Sequence, residues 1–369
     1  MDEEQVFYHI LLSLVPHIGD VHVSILLEHF KDPALIFKLK RRELEAINGI
    51  GSIRASAIKN CNLHSRVEKE LFFIQKNNIR VLIKGDKSYP KKFEHFQDAP
   101  HVLYYKGSVD INFSKIVSII GTRSPTSYGK ELVTALIASL SDIGILVVSG
   151  LAYGIDTIVH KESVKSNIAT IGVLGHGLDQ IYPQANRTLA IEMLEHGGLI
   201  TEFMSKTKPD KQNFPLRNRI VSGIADAVIV IESGEKGGSL ITANMANAYN
   251  KDVFAFPGRV NDSQSKGCNE LIKSQRAQLI NNGNDFLECM NWERKPLKPS
   301  VLQSAIFYDI TLEEKTIVDL MSMHDTMSID HITSSSGLKP SQVSYLLLSL
   351  EMKGLIKVLP GKYYTSMYR

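Results

Sequence analysis

Between residues 116 and 256, short runs of β-branched and other apolar residues alternate with segments of helical periodicity, and few folds accept such a pattern. Ile116-Val117-Ser118-Ile119-Ile120 opens the series and reads as a strand buried on both faces. It stops at Gly121, and Leu132, Val133, Leu136, Ile137 and Leu140 follow at helical spacing. The next strands are expected at Ile145–Val148, Ala169–Leu174, Gly198–Glu202, Ala227–Ile231 and Val253–Gly258, with helical segments of ordinary length between them. Strands separated in this way imply βαβ units and a doubly wound, Rossmann-like parallel sheet. Such sheets hold ligands outside the carboxyl ends of their strands. Four of these ends are rich in Gly and Ser, as in Ser149-Gly150 and Gly237-Gly238-Ser239.

The first turn, Gly121-Thr122-Arg123, gives the pattern its chemistry. A strand entering a helix through a glycine turn aims backbone N–H groups and the positive end of the helix dipole at the space above, which suits phosphate. Arg123 adds a planar five-donor cation. G-x-G-x-x-G and GxxxxGK[ST] are absent, so neither NAD nor ATP is expected as the main ligand, and no cofactor is expected. A second stretch, Lys206 to Arg219 (KTKPDKQNFPLRNR), interleaves Lys206, Lys208, Lys211, Arg217 and Arg219 with Phe214. Cations around an aromatic ring suit a polyanion with flat bases, since phosphates pair with the cations and a base stacks on the ring.

On either side of this domain, 79–290, the pattern changes. Residues 1–78 read as helical, with two similar phrases, Val15-Pro16-His17-Ile18-Gly19 and Ile47-Asn48-Gly49-Ile50-Gly51. The second resembles a helix-hairpin-helix turn whose free N–H groups meet phosphate, with Arg54 or Lys59 adding charge. A small SAM-like helical bundle turned by its glycines is the other reading. Short strands at Val81–Ile83 and Val102–Gly107 lead into the core. Residues 291–304, with two prolines and three cations in Trp292–Ser300, read as a linker. Residues 305–369 read as three helices and a hairpin, a winged helix. Thr311 and Glu314 make a capping box there, and Val343, Leu346, Leu347 and Leu350 face inward on the third helix. That helix offers Ser341, Gln342, Ser344 and Tyr345 outward, which leaves protein contact and DNA contact both open.

The formal net charge of +3 excludes a histone-like polycation while allowing a local basic groove. Cys61, Cys268 and Cys289 match no metal or disulfide spacing, which fits a reducing cytoplasm. The acidic start MDEEQVF is unlike a signal peptide, and no apolar stretch is long enough for a membrane span.

Six phrases in order resemble the DNA-processing protein A (DprA, also called Smf) family. They are Gly121-Thr122-Arg123, Ser149–Asp156, Gly175-x-Gly177-x-Asp179-x-x-Tyr182-Pro183, Phe214-Pro215-x-Arg217-Asn218-Arg219-Ile220, Gly237–Ala243 and Gly267-Cys268-Asn269-x-Leu271-Ile272. The resemblance implies an extended Rossmann domain that binds single-stranded DNA, protects incoming DNA during natural transformation and loads the RecA recombinase onto it. It also implies a homodimer. By position, Arg123, Lys211 and Phe214 match the family's strand-binding arginine, lysine and stacking phenylalanine. Asn218 and Arg219 lie in the same phrase as Phe214. Gly121 and Thr122 belong to the arginine's turn, and Gly150, Gly237, Gly238 and Ser239 supply close-approach backbone. Asp156 and Asp179 are expected to hold loops. The alternative is an enzyme on a similar sheet, a phosphoribohydrolase whose motif resembles PGGxGTxxE. Here Thr242 stands where that glutamate would act, and a threonine is no carboxylate. Glu202 and His176 lie at strand ends but are read as structural, so no catalytic or metal residues are expected.

Overall fold

Helices come first in the computed structural model, which describes residues 2–292, 311–322, 326–353, 355–359, 361 and 363–366. They are α1 (Glu3–Ser13), α2 (Asp20–His29), α3 (Pro33–Lys38), α4 (Arg41–Glu45), α5 (Gly51–Lys59) and α6 (His64–Lys76). Asp2 starts α1 by accepting from the Gln5 N–H at 2.9 Å, and Glu3 and Glu4 suit the positive end of the helix. The two repeated phrases form the turns between α1 and α2 and between α4 and α5. Where the second uses Gly49 at φ 89°, the first forces His17 to φ 65°. Arg54 joins the two turns, donating from Nε to the His17 carbonyl and from Nη1 to the Gly49 carbonyl, each at 3.1 Å. Lys59 Nζ reaches the Phe37 carbonyl at 2.8 Å. The two cations expected to face a phosphate therefore make bonds inside the bundle, which supports the helical-bundle reading of this segment.

The chain then alternates through β1 (Arg80–Ile83), α7 (Lys91–Glu94), β2 (Val102–Gly107), β3 (Lys115–Ile120), α8 (Ser127–Ser139), β4 (Ile145–Ser149), α9 (Ile155–Lys165), β5 (Ala169–Val173), α10 (Arg187–His196) and β6 (Gly197–Thr201). It continues through α11 (Asn213–Gly223), β7 (Ala227–Val230), α12 (Gly238–Ala248), β8 (Asp252–Ala255), α13 (Lys266–Lys273), β9 (Gln278–Leu279) and α14 (Gly283–Cys289). The strands form one sheet in the order β1-β2-β6-β5-β4-β3-β7-β8-β9. From β6 across to β9 every pairing is parallel. Two features differ from the sequence reading: β1 and β2 extend the parallel sheet as an antiparallel edge, and β9 adds a strand that no apolar run marks.

Strand alternation divides the core between the two faces. Ile116 and Ile120 of β3 pack with Ile220 and Val221 of α11 and Ala243 and Ala246 of α12. Val117 and Ile119 pack with Val133, Leu136 and Ile137 of α8. Each such Val, Leu or Ile side chain, fully buried, stabilises the fold by roughly 1.5–3 kcal/mol before entropy is counted. The helical segment 1–78 does not stand apart. Ile10, Leu11, Val67 and Ile74 share a core with Val102, Tyr104 and Met204, so helices and sheet form one compact unit, Met1–Lys295.

The second unit, Pro296–Arg369, holds α15 (Leu312–Ser322), β10 (Met327–Ser328), α16 (Ile329–Ser336), α17 (Pro340–Met352), β11 (Ile356–Leu359) and β12 (Tyr363–Ser366). Its sheet order is β10-β12-β11. The capping box is present: Glu314 accepts from the Thr311 N–H at 2.9 Å, and the Thr311 hydroxyl accepts from the Glu314 N–H at 3.2 Å. Val343, Leu346, Leu347 and Leu350 are buried, while Tyr345, Leu348 and Met352 leave an exposed apolar stripe on α17. From residue 293 on, the expected linker lies outside the described residues. Among the described residues no helix is long and apolar enough to cross a membrane, and no cluster of His, Cys, Asp and Glu is placed to hold a metal.

Candidate nucleic-acid interface

β3 lies between β4 and β7: from it the chain runs through β4, β5 and β6 on one side and then crosses back to β7, β8 and β9 on the other. The loops after these strands diverge there, and a crevice opens at their carboxyl ends. The cleft has a volume of about 570 Å³. It is lined by Gly121, Thr122 and Arg123 after β3, Gly150 after β4, and Gly237, Gly238 and Ser239 after β7. Lys211, Phe214, Arg217 and Asn218 come in from the start of α11. The elements that bring these residues together are up to 118 residues apart, from Gly121 to Ser239, so only the sheet assembles the set.

The outer part of the cleft is cationic and aromatic. The exposed Arg123 holds its guanidinium 5.6 Å from the centre of the Phe214 ring, within the range of a cation–π contact. Lys211 is exposed at the same wall. Phe214 also meets Tyr182, their ring centres 6.0 Å apart and their planes tilted by 34°. Tyr182 lines the cleft; the sequence reading placed it in the Gly175–Pro183 phrase but gave it no role at the site. The available signal was positional, an aromatic in the Gly175–Pro183 loop at the end of the strand beside β4.

The floor is built differently. Arg217 is 4% exposed. Its Nη1 donates to the Gly150 carbonyl at 2.5 Å and to the Val173 carbonyl, which ties the ends of β4 and β5 together. A Cβ on Gly150 would come within 2.3 Å of that nitrogen, so only glycine lets the guanidinium lie there. Burial lowers the Arg217 pKa to about 10, partly offset by Asp156. Burial raises the Asp156 carboxyl above its ordinary value, against the pull of Arg217 and of the Ala152 N–H, which donates to it at 3.2 Å. Asp156 thus holds the β4 loop, and Asp179 likewise accepts from the Lys206 N–H at 2.9 Å.

The anion site expected at the start of α8 is filled from within. The Glu232 carboxylate, 1% exposed, accepts from the Thr126 N–H at 2.9 Å and the Thr126 hydroxyl at 2.5 Å. The protein's own carboxylate stands where a phosphate was expected. The start of α12 is the open one. Its N-cap is Gly237, no side chain caps it, and Gly237, Gly238 and Ser239 face the cleft.

Arg219 does not join the cleft. Its side chain is 12% exposed and pairs with Asp20 at 3.2 Å through Nη1 and with Glu202 through Nη2. Helical geometry explains the difference, since Phe214, Arg217 and Asn218 follow an i, i+3, i+4 spacing on one face, whereas Arg219 turns off it. Burial pushes the Glu202 carboxyl above its usual range despite the Arg219 charge. His176 makes internal contacts, its Nδ1 2.9 Å from the Gly177 carbonyl oxygen and its Nε2 accepting from the Tyr182 N–H at 3.3 Å. Thr242 lines the cleft, as its place in the Gly-Gly-Ser phrase implies.

Comparison with known proteins agrees with this architecture. Residues 80–291 match the family model of DNA recombination-mediator protein A, and residues 309–362 match the DprA winged helix domain. Protein Smf of Synechocystis is 31% identical across 97% of this chain and 98% of its own length. DNA processing protein DprA of Bacillus subtilis is 37% identical across 72% of this chain and 89% of its own. Among solved structures, DNA processing protein A from Streptococcus pneumoniae superposes with a TM-score of 0.63 at 30% identity, covering 76% of this chain and 97% of that one. The Helicobacter pylori protein, solved for its single-stranded DNA binding mode, gives a TM-score of 0.53 at 32% identity, covering 58% of this chain and 97% of its own. With the ordered phrases, the switch-point cleft and a winged helix all in place, the chain belongs to the DNA recombination-mediator protein A (DprA/Smf) family.

Proposed function

We propose that the cleft binds single-stranded DNA without catalysis, and that the protein shields such strands and loads the RecA recombinase onto them during natural transformation and recombination. The observation that carries the reading is Arg123 held over the Phe214 ring, with Lys211 on the same wall. A base can stack on Phe214 while flanking phosphates meet the two cations and the uncapped start of α12. The single-stranded DNA binding mode of the Helicobacter pylori relative points the same way. No duplex-reading geometry is needed, because a ring and backbone donors accept any base. A homodimer and a cytoplasmic location belong to the same proposal. On the non-catalytic side, Asp156, which lines the cleft, and Glu232 at the start of α8 are engaged in holding loops, and Thr242 occupies the place of the hydrolase glutamate.

Fluorescence anisotropy with labelled single-stranded and duplex oligonucleotides across a salt series tests the reading. Single strands should bind more tightly than duplex. Phe214→Ala should lose about 1–3 kcal/mol with the salt slope kept. Lys211→Ala should flatten the slope by about 0.7. Normal binding by folded Arg123→Ala, Lys211→Ala and Phe214→Ala proteins would overturn the assignment. Release of a free base from a nucleoside monophosphate would favour the phosphoribohydrolase alternative.

A further inference from the structure

The segment that carries Lys211 and Phe214 to the cleft is fastened at both ends by the N-terminal helices. At its start, Glu70 of α6 is 1% exposed and accepts from the Ser205 N–H at 2.9 Å and from the Ser205 hydroxyl at 2.5 Å. Arg66, one turn earlier, pairs with Glu70 at 2.8 Å and donates to the Ser205 carbonyl at 2.5 Å. Ser205 thus has its N–H, carbonyl and hydroxyl all held by α6. At the far end Arg219 of α11 pairs with Asp20, the first residue of α2. Asp20 also accepts from the His101 N–H at 2.9 Å, which ties the same point to the start of β2. A buried carboxylate with several donors fixes geometry more strictly than apolar packing does, because displacement leaves charge unpaired.

We propose that Glu70 and Asp20 are positioning residues for the cleft: the helical layer 1–78 acts by holding the 202–219 segment in its strand-binding arrangement, not by contacting DNA. The inference rests on the proposed role of Lys211 and Phe214. It also gives the helical segment a task that its hairpin cations, Arg54 and Lys59, do not perform, since both bond within the bundle.

The test uses the full chain with Glu70→Gln, Asp20→Asn and, as a control on the hairpin, Lys59→Ala. Binding of a labelled oligothymidylate is read by anisotropy across salt, and backbone motion by hydrogen–deuterium exchange. Glu70→Gln and Asp20→Asn should each weaken binding by roughly tenfold. Their salt slope should match wild type, since no phosphate contact is removed, and exchange should quicken across 202–219 while β3 and β7 stay protected. Lys59→Ala should bind as wild type. The inference is overturned if exchange quickens and affinity holds, if the slope falls as for a lost phosphate contact, or if Lys59→Ala weakens binding as much as Glu70→Gln. If Lys211→Ala and Phe214→Ala also bind normally, the cleft assignment itself fails and takes the inference with it. If only those two weaken binding, the cleft stands and the positioning role falls.

Discussion

Arg217 shows how a buried charge can shape a cleft from beneath. Its guanidinium lies under the cleft and bonds to the carbonyls of Gly150 and Val173. Arg217→Met, similar in length but without donors, should lower unfolding free energy by about 2–3 kcal/mol in urea titration, because two buried carbonyls lose a charged partner. A loss below about 0.5 kcal/mol would mean that water replaces the guanidinium without penalty. Gly150→Ala should act on the same contact, since its methyl would lie 2.3 Å from the guanidinium nitrogen, and should lower the melting temperature by several degrees, roughly 2–4 °C per kcal/mol. The run Arg217-Asn218-Arg219 reads in sequence as a patch of donors. Three consecutive positions of a helix point in three directions, so linear spacing alone did not separate the floor from the wall or either from the Asp20 pair. Phe214 and Arg123 were legible because an aromatic among cations and a cation in a strand-end turn are each unusual in their local setting.

At the scale of elements, the long strands were legible and the connections between layers were not. β3, β4 and β7 are β-branched runs buried on both faces, and their periodicity is unambiguous. β9 is two residues long and exposed, Gln278 and Leu279, and leaves no pattern. The antiparallel sense of β1 and β2 was equally hidden, because periodicity is the same in either direction. The joint between α1 and the sheet depends on side chains 92 residues apart: His9 Nδ1 lies 2.8 Å from His101 Nε2, both buried. Burial lowers the His101 pKa to about 3 and also lowers that of His9, so both rings are neutral at pH 7 when folded. Unfolded, each would take up a proton near its ordinary value of 6.5. Their contribution to stability is therefore complete above about pH 6.5 and is lost as pH falls toward the folded values, with a slope of at most about 1.4 kcal/mol per pH unit for each ring. Urea titrations between pH 7 and pH 4 should show His101→Gln losing less stability over that interval than wild type. Parallel curves would show that His101 takes up a proton equally in the folded and unfolded states.

For the whole molecule, the cleft and its supports all belong to Met1–Lys295. A chain ending at Trp292 should keep the single-strand affinity of the full protein in anisotropy. A tenfold loss would place part of the binding energy, about 1.4 kcal/mol, in the winged helix. The stripe of Tyr345, Leu348 and Met352 on α17 gives that helix an apolar face in place of the cations a phosphate backbone attracts. The sheet itself carries a different consequence. It is nine strands wide, yet it closes on one side with the two-residue β9 and on the other with the four-residue β1. A border so short offers almost no rail of free peptide groups on which a neighbouring chain could crystallise as a tenth strand. Copies of the chain at high concentration can therefore stand side by side without pairing edge to edge.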